Sequence, residues 1–538
     1  MTSPPAPAAS ESTAERPPLR HAWKECACIG MALEVLREDM QEQLRRVQRE
    51  IGYRHIRFHA SFHDRLGVVR EAADGSINYH WALFDKVYDF LVEVGFDPIV
   101  ELNPMPSAIA SGDQLMFDNG WGFNVTPPKS WGLWEDLCRA CAAHVVERYG
   151  LPRVKNWMFE CWNEPNLHGQ FWTGTDAEYY QLYAASVRGI KSVHPELKVG
   201  GPACAGAEMP LPYAKWCRDN NVPVDFLSYH GYPMGEYGAF PQRVGSPHAS
   251  GFALVNDFKK AHDELHAEGF GDLPRIITEW NVQHCDENGN SKWVGTTDCT
   301  RLFSGAAALH YTLECEPYVD AFGYWTLSDV FHEAGITQQE FGTNNQYYGM
   351  LTIEGRPKPI YHAFKYLARM TGPRLRPPDA VVSDKPPLAN LVLTDETVTC
   401  RALMWNFHMP EEPSQVWEGT LELPLPTPMR DAEQVRVITA QITESAGGVY
   451  EAWQSMDGPA SLTKLEWEAI EAASHPTHHA LILDSQGGKV AVPYRLDRNE
   501  VLFIELSGPT GNSAEAVNEA LNKLNHQLEY PGSKKLEA

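Results

Sequence analysis

Eight times between residues 21 and 370 a short apolar run gives way to a stretch with helical apolar spacing. That alternation restricts the chain to an α/β fold built on parallel strands. The first runs are Cys26-Ala27-Cys28-Ile29-Gly30, His55-Ile56-Arg57-Phe58-His59 and Pro98-Ile99-Val100-Glu101-Leu102. A fourth ends at Glu164 and a fifth is Leu197-Lys198-Val199-Gly200; the sixth spans 224–230, the seventh ends at Glu279 and the eighth is Ala321-Phe322-Gly323-Tyr324-Trp325. Between them, Leu36, Met40, Leu44, Val47 and Ile51 share one helix face, as do Leu83, Val87, Phe90 and Val94 before a stop at Gly95. Further helices are expected near 129–149, 176–193, 213–220, 252–268, 300–313 and 359–370. Eight strand–helix units of this size predict a (β/α)₈ TIM barrel with long loops, whose functional groups gather at the C-terminal ends of the strands.

After residue 370 the texture changes. Thr371-Gly372-Pro373-Arg374-Leu375-Arg376-Pro377-Pro378 and Lys385-Pro386-Pro387 read as a boundary. Short alternating runs follow at Leu391-Val392-Leu393, Arg401–Trp405, Thr420–Leu423, Val435–Ile438 and Val501–Ile504, the pattern of an antiparallel β-sandwich. The expected organisation is a disordered Pro/Ala/Ser-rich lead over 1–20, the barrel over 21–370, the sandwich over 371–512 and a helical, charged tail over 513–538. Residues 21–30, which precede the barrel proper, are expected to pack with the sandwich. The sandwich strands carry no concentrated row of aromatics, so a structural role is expected for them.

A formal net charge of −25 disfavours nucleic acid and anionic membranes as partners. No run approaches the length of a transmembrane helix, and residues 1–8 lack both a basic and an apolar signal region. The 11 cysteines are odd in number and scattered through apolar stretches, which fits reduced thiols in a cytoplasm better than a disulfide framework. Cys138-Arg139-Ala140-Cys141 has redox spacing, but it lies mid-helix on the face with Trp134 and Val145, so packing is expected of it. His59, His63 and Asp64 lack the helical spacing and the further ligand of a zinc site, and Gly200-Gly201-Pro202 lacks the rest of a phosphate loop. No metal and no cofactor are expected.

Two carboxylates stand out within the barrel. Glu164 sits in Cys161-Trp162-Asn163-Glu164-Pro165-Asn166, and Glu279 in Arg275-Ile276-Ile277-Thr278-Glu279-Trp280-Asn281. Both close an apolar strand, whereas a surface glutamate belongs on a polar helix face. Breaking a glycosidic bond needs such a pair, an acid for the leaving oxygen and a carboxylate that attacks or activates water. Walls such as Trp162 and Phe159 would keep Glu164 protonated, and Pro165 would turn the chain toward the barrel mouth. Asn281 or a nearby tyrosine would hold Glu279 ionised. A blander account makes both glutamates buried ion-pair partners.

The two segments resemble the acid/base and nucleophile motifs of glycoside hydrolase family 39, the β-xylosidase and α-L-iduronidase family of retaining (β/α)₈ glycosidases. Leu36-Arg37-Glu38-Asp39, Arg57-Phe58-His59, Ser228-Tyr229-His230-Gly231-Tyr232-Pro233 and residues 324–331 are similar to the family's β-xylosidases, and the likeness spans roughly residues 21–370. The resemblance implies Glu164 as acid/base and Glu279 as nucleophile. It also implies that His59, Asn163, His230, Tyr232, Trp325 and Glu333 line the subsite for the non-reducing sugar, with Tyr232 orienting the nucleophile. Asn103-Pro104-Met105-Pro106 departs from the family, which more often carries a Gly-Phe pair there. The activity implied is exo-hydrolysis of β-1,4-linked xylose from xylo-oligosaccharides. An α-L-arabinofuranosidase, an α-L-iduronidase, a glycosyl-transferring enzyme and a silent carbohydrate-binding protein stay open beside it.

Overall fold

The computed structural model describes residues 18–116, 122–233, 253–282, 299–331, 348–374, 391–395, 399–409, 412–509, 519 and 523. Eight parallel strands close into a barrel: β1 (Cys26–Met31), β2 (His55–His59), β3 (Asp97–Leu102), β4 (Met158–Cys161), β5 (Lys198–Cys204), β6 (Phe226–Gly231), β7 (Arg275–Trp280) and β8 (Ala321–Tyr324). Each strand pairs with its sequence neighbour, and β1 pairs with both β2 and β8. Nearly every residue of these strands is buried, the burial expected when helices cover the outside and side chains fill the inside.

The covering helices are α1 (Glu38–Glu50), α2 (Ala82–Val94), α3 (Trp131–Tyr149), α4 (Asp176–Val193), α5 (Pro210–Asp219), α6 (Ala253–Ala267), α7 (Phe303–Cys315) and α8 (Pro359–Leu367). Met40, Leu44 and Val47 of α1 and Val87 and Phe90 of α2 are buried, as their spacing requires. Gly95 ends α2 at φ 102°, a conformation that side chains resist. Thr175 and Glu178 close a reciprocal capping box at the start of α4. Helices α3 and α4 meet at Gly189, where a Cβ would lie 2.4 Å from the Glu135 carbonyl oxygen. Cys138 and Cys141 are buried on the inner face of α3, and all ten described cysteines are buried. No helix among the described residues is long and apolar enough to cross a membrane.

The C-terminal strands are β9 (Leu391–Asp395), β10 (Cys400–Trp405), β11 (Trp417–Pro424), β12 (Gln434–Ile442), β13 (Thr477–Gln486), β14 (Lys489–Leu496) and β15 (Val501–Pro509). They form an antiparallel sheet in the order β9-β10-β15-β12-β13-β14-β11. It folds over so that Ala402 and Met404 of β10 and Leu502 and Ile504 of β15 share a core with Leu421 and Val492. The alternate residues Leu403, Trp405, Val501 and Phe503 face the other way and join the barrel's core. Phe503 stacks on Tyr366 with centroids 4.9 Å apart and planes 8° from parallel. Helices α9 (Tyr450–Ser455) and α10 (Lys464–Ala473) sit between β12 and β13, and the Ser474 carbonyl meets His362 Nε2 at 2.7 Å.

Some elements differ from the sequence reading. Residues 21–30 do not belong to the sandwich: their second half is barrel strand β1, and Trp23 stacks on Phe364 of α8 at 4.9 Å. Strand β4 stops at Cys161 rather than at Glu164, because Trp162 adopts φ 68° and turns the chain early. The tail helix expected within 513–538 lies outside the described residues apart from 519 and 523.

Candidate active site

The C-terminal rim of the barrel gathers the polar side chains that its apolar strands carry. Strand β2 delivers Arg57 and His59, β3 delivers Glu101, β4 delivers Glu160 and leads to Asn163 and Glu164, β6 carries His230 near its end and β7 carries Glu279. Backbone strain concentrates here: Ala60, Trp162, Glu164 and Ala203, which follow β2, follow β4 or lie in β5, have φ of 71°, 68°, 44° and 51°. Non-glycine residues held this way cost about 1–3 kcal/mol each, and such strain collects at functional sites. The turn expected from Pro165 is therefore made by left-handed residues, and the Glu164 N–H donates to the Ala203 carbonyl at 2.8 Å.

Arg57 is the hub. Its Nη1 donates to Glu279 Oε1 at 2.7 Å, its Nε to Glu160 Oε2 at 2.6 Å and its Nη2 to Asn163 Oδ1 at 2.8 Å. Nη2 also lies 3.1 Å from Glu101 Oε2. One guanidinium faces three carboxylates, all nearly or fully buried, so the carboxyls cannot all behave alike. Burial pushes Glu101 well above the usual carboxyl range, against the pull of Arg57 and with a further push from Glu160. Burial presses Glu160 upward too, but the Arg57 charge and hydrogen bond win and hold it below that range.

Glu279 has a donor on each oxygen, Arg57 on one and the Tyr232 hydroxyl at 2.8 Å on the other. His59 Nε2 stands 3.5 Å from its Oε1 and His230 Nδ1 3.5 Å from its Oε2. Among the described residues no such cation lies against Glu164. Its Oε1 lies 2.8 Å from His230 Nδ1, and burial, opposed by the more distant Arg57 charge, lifts its pKa to about 8. A carboxyl of that kind is protonated at neutral pH and can donate; one gripped by Arg57 and Tyr232 is held in a fixed orientation. Burial lowers His59 to about 3, helped by the Arg57 charge, so that imidazole is neutral.

Of the subsite residues expected from sequence, Asn163, His59 and His230 are almost wholly buried around the two glutamates. Because Arg57 occupies the Asn163 oxygen, the amide N–H₂ of Asn163 is the end left to donate elsewhere. Trp325 is 3% exposed, tilted against His59 with centroids 4.8 Å apart and 5.9 Å from the Arg57 guanidinium. Glu333 lies outside the described residues. The Asn281 amide donates to the Trp325 carbonyl at 2.7 Å and takes the Cys299 thiol at 2.9 Å, so it braces β7 against β8. Asn103, in the loop that departs from the family pattern, accepts from the Ala60 N–H at 2.8 Å and donates to Glu101.

Glu164, His230 and Glu279 each bring a ligand atom within 4.8 Å of the others, a set a cation could use. Their contacts are nevertheless those of a hydrogen-bonded group: the shortest is an imidazole nitrogen on a carboxyl oxygen at 2.8 Å. Arg57, Glu101 and Glu160 were not picked out by sequence, although each is a charge inside a buried apolar strand and must find a partner there.

A closed (β/α)₈ barrel with two unlike carboxyls facing each other at its rim is the frame of a glycoside hydrolase. The chain belongs to glycosyl hydrolases family 39, whose model matches residues 9–490. It is 32% identical over 459 residues to a β-xylosidase of Caldicellulosiruptor saccharolyticus, covering 84% of this chain and 88% of that one. It is 30% identical over 499 residues to a β-xylosidase of Geobacillus stearothermophilus, covering 90% and 92%. The solved monomeric β-xylosidase of Caulobacter crescentus CB15 matches with a TM-score of 0.77 at 29% identity, covering 91% of this chain and 97% of that one.

Proposed function

We propose that the chain is a retaining β-xylosidase that releases xylose from the non-reducing ends of xylo-oligosaccharides. The observation that carries this reading is the contrast between two carboxyls whose oxygens approach within 4.8 Å, one lifted to about 8 and the other held by Arg57 and Tyr232. Carboxyls about 5–5.5 Å apart leave no room for a water between them, whereas inverting pairs stand about 6.5–9.5 Å apart. Glu279 attacks the anomeric carbon while the bond to the leaving oxygen breaks and Glu164 gives that oxygen its proton. A water then attacks the glycosyl-enzyme, passing a proton to Glu164 as the ester to Glu279 opens. The Asn163 amide is suited to donate to the sugar 2-hydroxyl, and His59, Tyr232 and Trp325 would line the sugar.

Similarity to β-xylosidases over most of the chain favours a xyloside, and so does charge. An iduronide carries a carboxylate that needs an unspent cation. Arg57, on β2, is engaged by Glu101, Glu160 and Glu279, and Lys358, just before α8, by Asp329 at 2.6 Å. Arabinofuranosides, neutral pentosides too, are the nearer competitor. The test is kcat/KM on aryl β-D-xyloside, α-L-arabinofuranoside, β-D-glucoside and α-L-iduronide side by side, with NMR of the first-formed anomer. The xyloside should lead, iduronide should trail by orders of magnitude and the first product should be β-xylose. A lead for either competitor, or α-xylose appearing first, overturns the reading.

A further inference from the structure

We propose that His230 is a positioning residue whose single N–H serves the two carboxyls of the site in turn, following the negative charge from Glu279 to Glu164. The inference rests on the acid/base and nucleophile assignments above and goes beyond them. His230 is the last residue but one of β6 and is fully buried. Its Nδ1 points between the carboxyls, 2.8 Å from Glu164 Oε1 and 3.5 Å from Glu279 Oε2. Its Nε2 is buried and has no hydrogen-bond partner among the described residues.

A neutral imidazole carries one N–H, on either nitrogen. On Nε2 that proton would be a buried donor with nothing to meet, while a bare Nδ1 would turn its lone pair toward two carboxyl oxygens. On Nδ1 it meets an acceptor on either side. The geometry therefore selects the Nδ1–H form, and burial supports the neutral ring by lowering its pKa.

Two consequences follow. Glu164 Oε1 is occupied as an acceptor, so the acid's own proton must sit on Oε2, the oxygen free to meet the leaving group. The N–H also lies between the two carboxyls, so it can turn to whichever one is charged. Before attack the charge is on Glu279, within reach at 3.5 Å. When the glycosyl bond to Glu279 forms and the Oε2 proton leaves with the departing oxygen, the charge is on Glu164, and the 2.8 Å contact becomes a charge-assisted hydrogen bond. Hydrolysis of the ester reverses the sequence as water returns a proton to Glu164. His230 gains and loses no proton at any point.

The test compares His230→Phe, which keeps the ring and removes the donor, with His230→Asn, whose amide reaches the Nδ1 position. The other titratable groups of the cluster, Arg57 and His59 on β2, Glu101 on β3, Glu160 on β4, Cys204 on β5, Glu279 on β7 and Tyr232 beyond β6, are left in place. Without the N–H the Glu164 carboxylate loses a stabilising partner. The alkaline limb of kcat/KM should then move up by about one pH unit in His230→Phe. Turnover limited by deglycosylation, as on a dinitrophenyl glycoside, should fall about 10- to 100-fold. His230→Asn should bring both back toward the parent. Should His230→Phe fail to fold, His230→Gln, whose amide reaches the Nε2 position instead, should show the same shift. An unmoved limb in the donorless variant, or an Asn variant shifted as far as Phe, overturns the proposal. Glu164→Ala run in parallel tests the acid assignment separately: kcat/KM lost mainly on poor leaving groups upholds it, so an unmoved limb then counts against His230 alone.

Discussion

Burial, opposed by the Arg57 charge, lifts Glu164 from 4.5 to about 8, so the folded protein keeps a proton that the unfolded chain releases above 4.5. Stability falls wherever the unfolded state binds fewer protons, and the folded-state loss from this group therefore accumulates between those two pH values and is constant above about 8. Glu164→Gln removes the titration while keeping shape. Relative to the parent it should gain stability as pH rises from 4.5 to 8, by on the order of 1–4 kcal/mol. Thermal melts of both proteins across that range read the difference directly, and parallel curves would show that the carboxyl is not held out of water. The parent's kcat/KM should decline on the alkaline side as Glu164 loses its proton near 8. On the proposed reading the site accepts this instability because an acid in water would be ionised long before a glycosidic oxygen needed its proton.

At the scale of elements, the barrel strands and their helices follow from hydrophobic period alone, since a strand buried on both faces has few other ways to read. The two glutamates were legible for the same reason, as charges closing apolar runs. Arg57, Glu101 and Glu160 obey that rule equally, and their linkage across β2, β3, β4 and β7 becomes visible only when the barrel brings four distant segments together. The hairpin of β13 and β14 carried its own signal in Gly487-Gly488, at φ 60° and 74°, between two alternating runs. Its exposed first strand, with Ile482 63% exposed, lacks the apolar weight that marked the other strands. Strands β10 and β15 are the least ordinary elements, because one face serves the sheet's core and the other the barrel's. Phe503→Ala should remove the ring stacked on Tyr366 and cost about 3–5 kcal/mol. If the two cores unfold together, calorimetry should give one transition shifted to lower temperature, with the near-ultraviolet dichroism of the barrel's tryptophans lost in step. A barrel signal that holds while the sheet melts would show the shared face to be incidental.

For the whole molecule, the question is whether the barrel can stand without the sheet. Its α7–α8 side is completed from the C-terminal region: Phe407 stacks on His310 at 4.4 Å, Trp405 and Phe503 lie in the barrel's core cluster, and Met409 Sδ takes the Tyr311 hydroxyl. Polar ties reinforce the seam, with Arg356 on Glu471 at 2.9 Å, the Leu302 N–H on Glu451 at 2.8 Å and Arg401 reaching the Arg369 carbonyl at 3.2 Å. Stripping this cover would bare aromatic surface on two adjacent helices, and each large side chain moved from core to water costs about 1.5–3 kcal/mol. Several such losses match the whole stability of an ordinary domain, about 5–15 kcal/mol. A chain ending at residue 376 should accordingly be insoluble or melt far below the parent, even though Glu164, Glu279, Arg57 and His230 are all retained. Separate expression of 1–376 and 377–538, followed by mixing, distinguishes a missing cover from a damaged barrel: complementation should recover soluble, active protein. A monodisperse, fully active 1–376 fragment would instead make the sheet an appendage, and the apolar face of β10 and β15 would need another explanation.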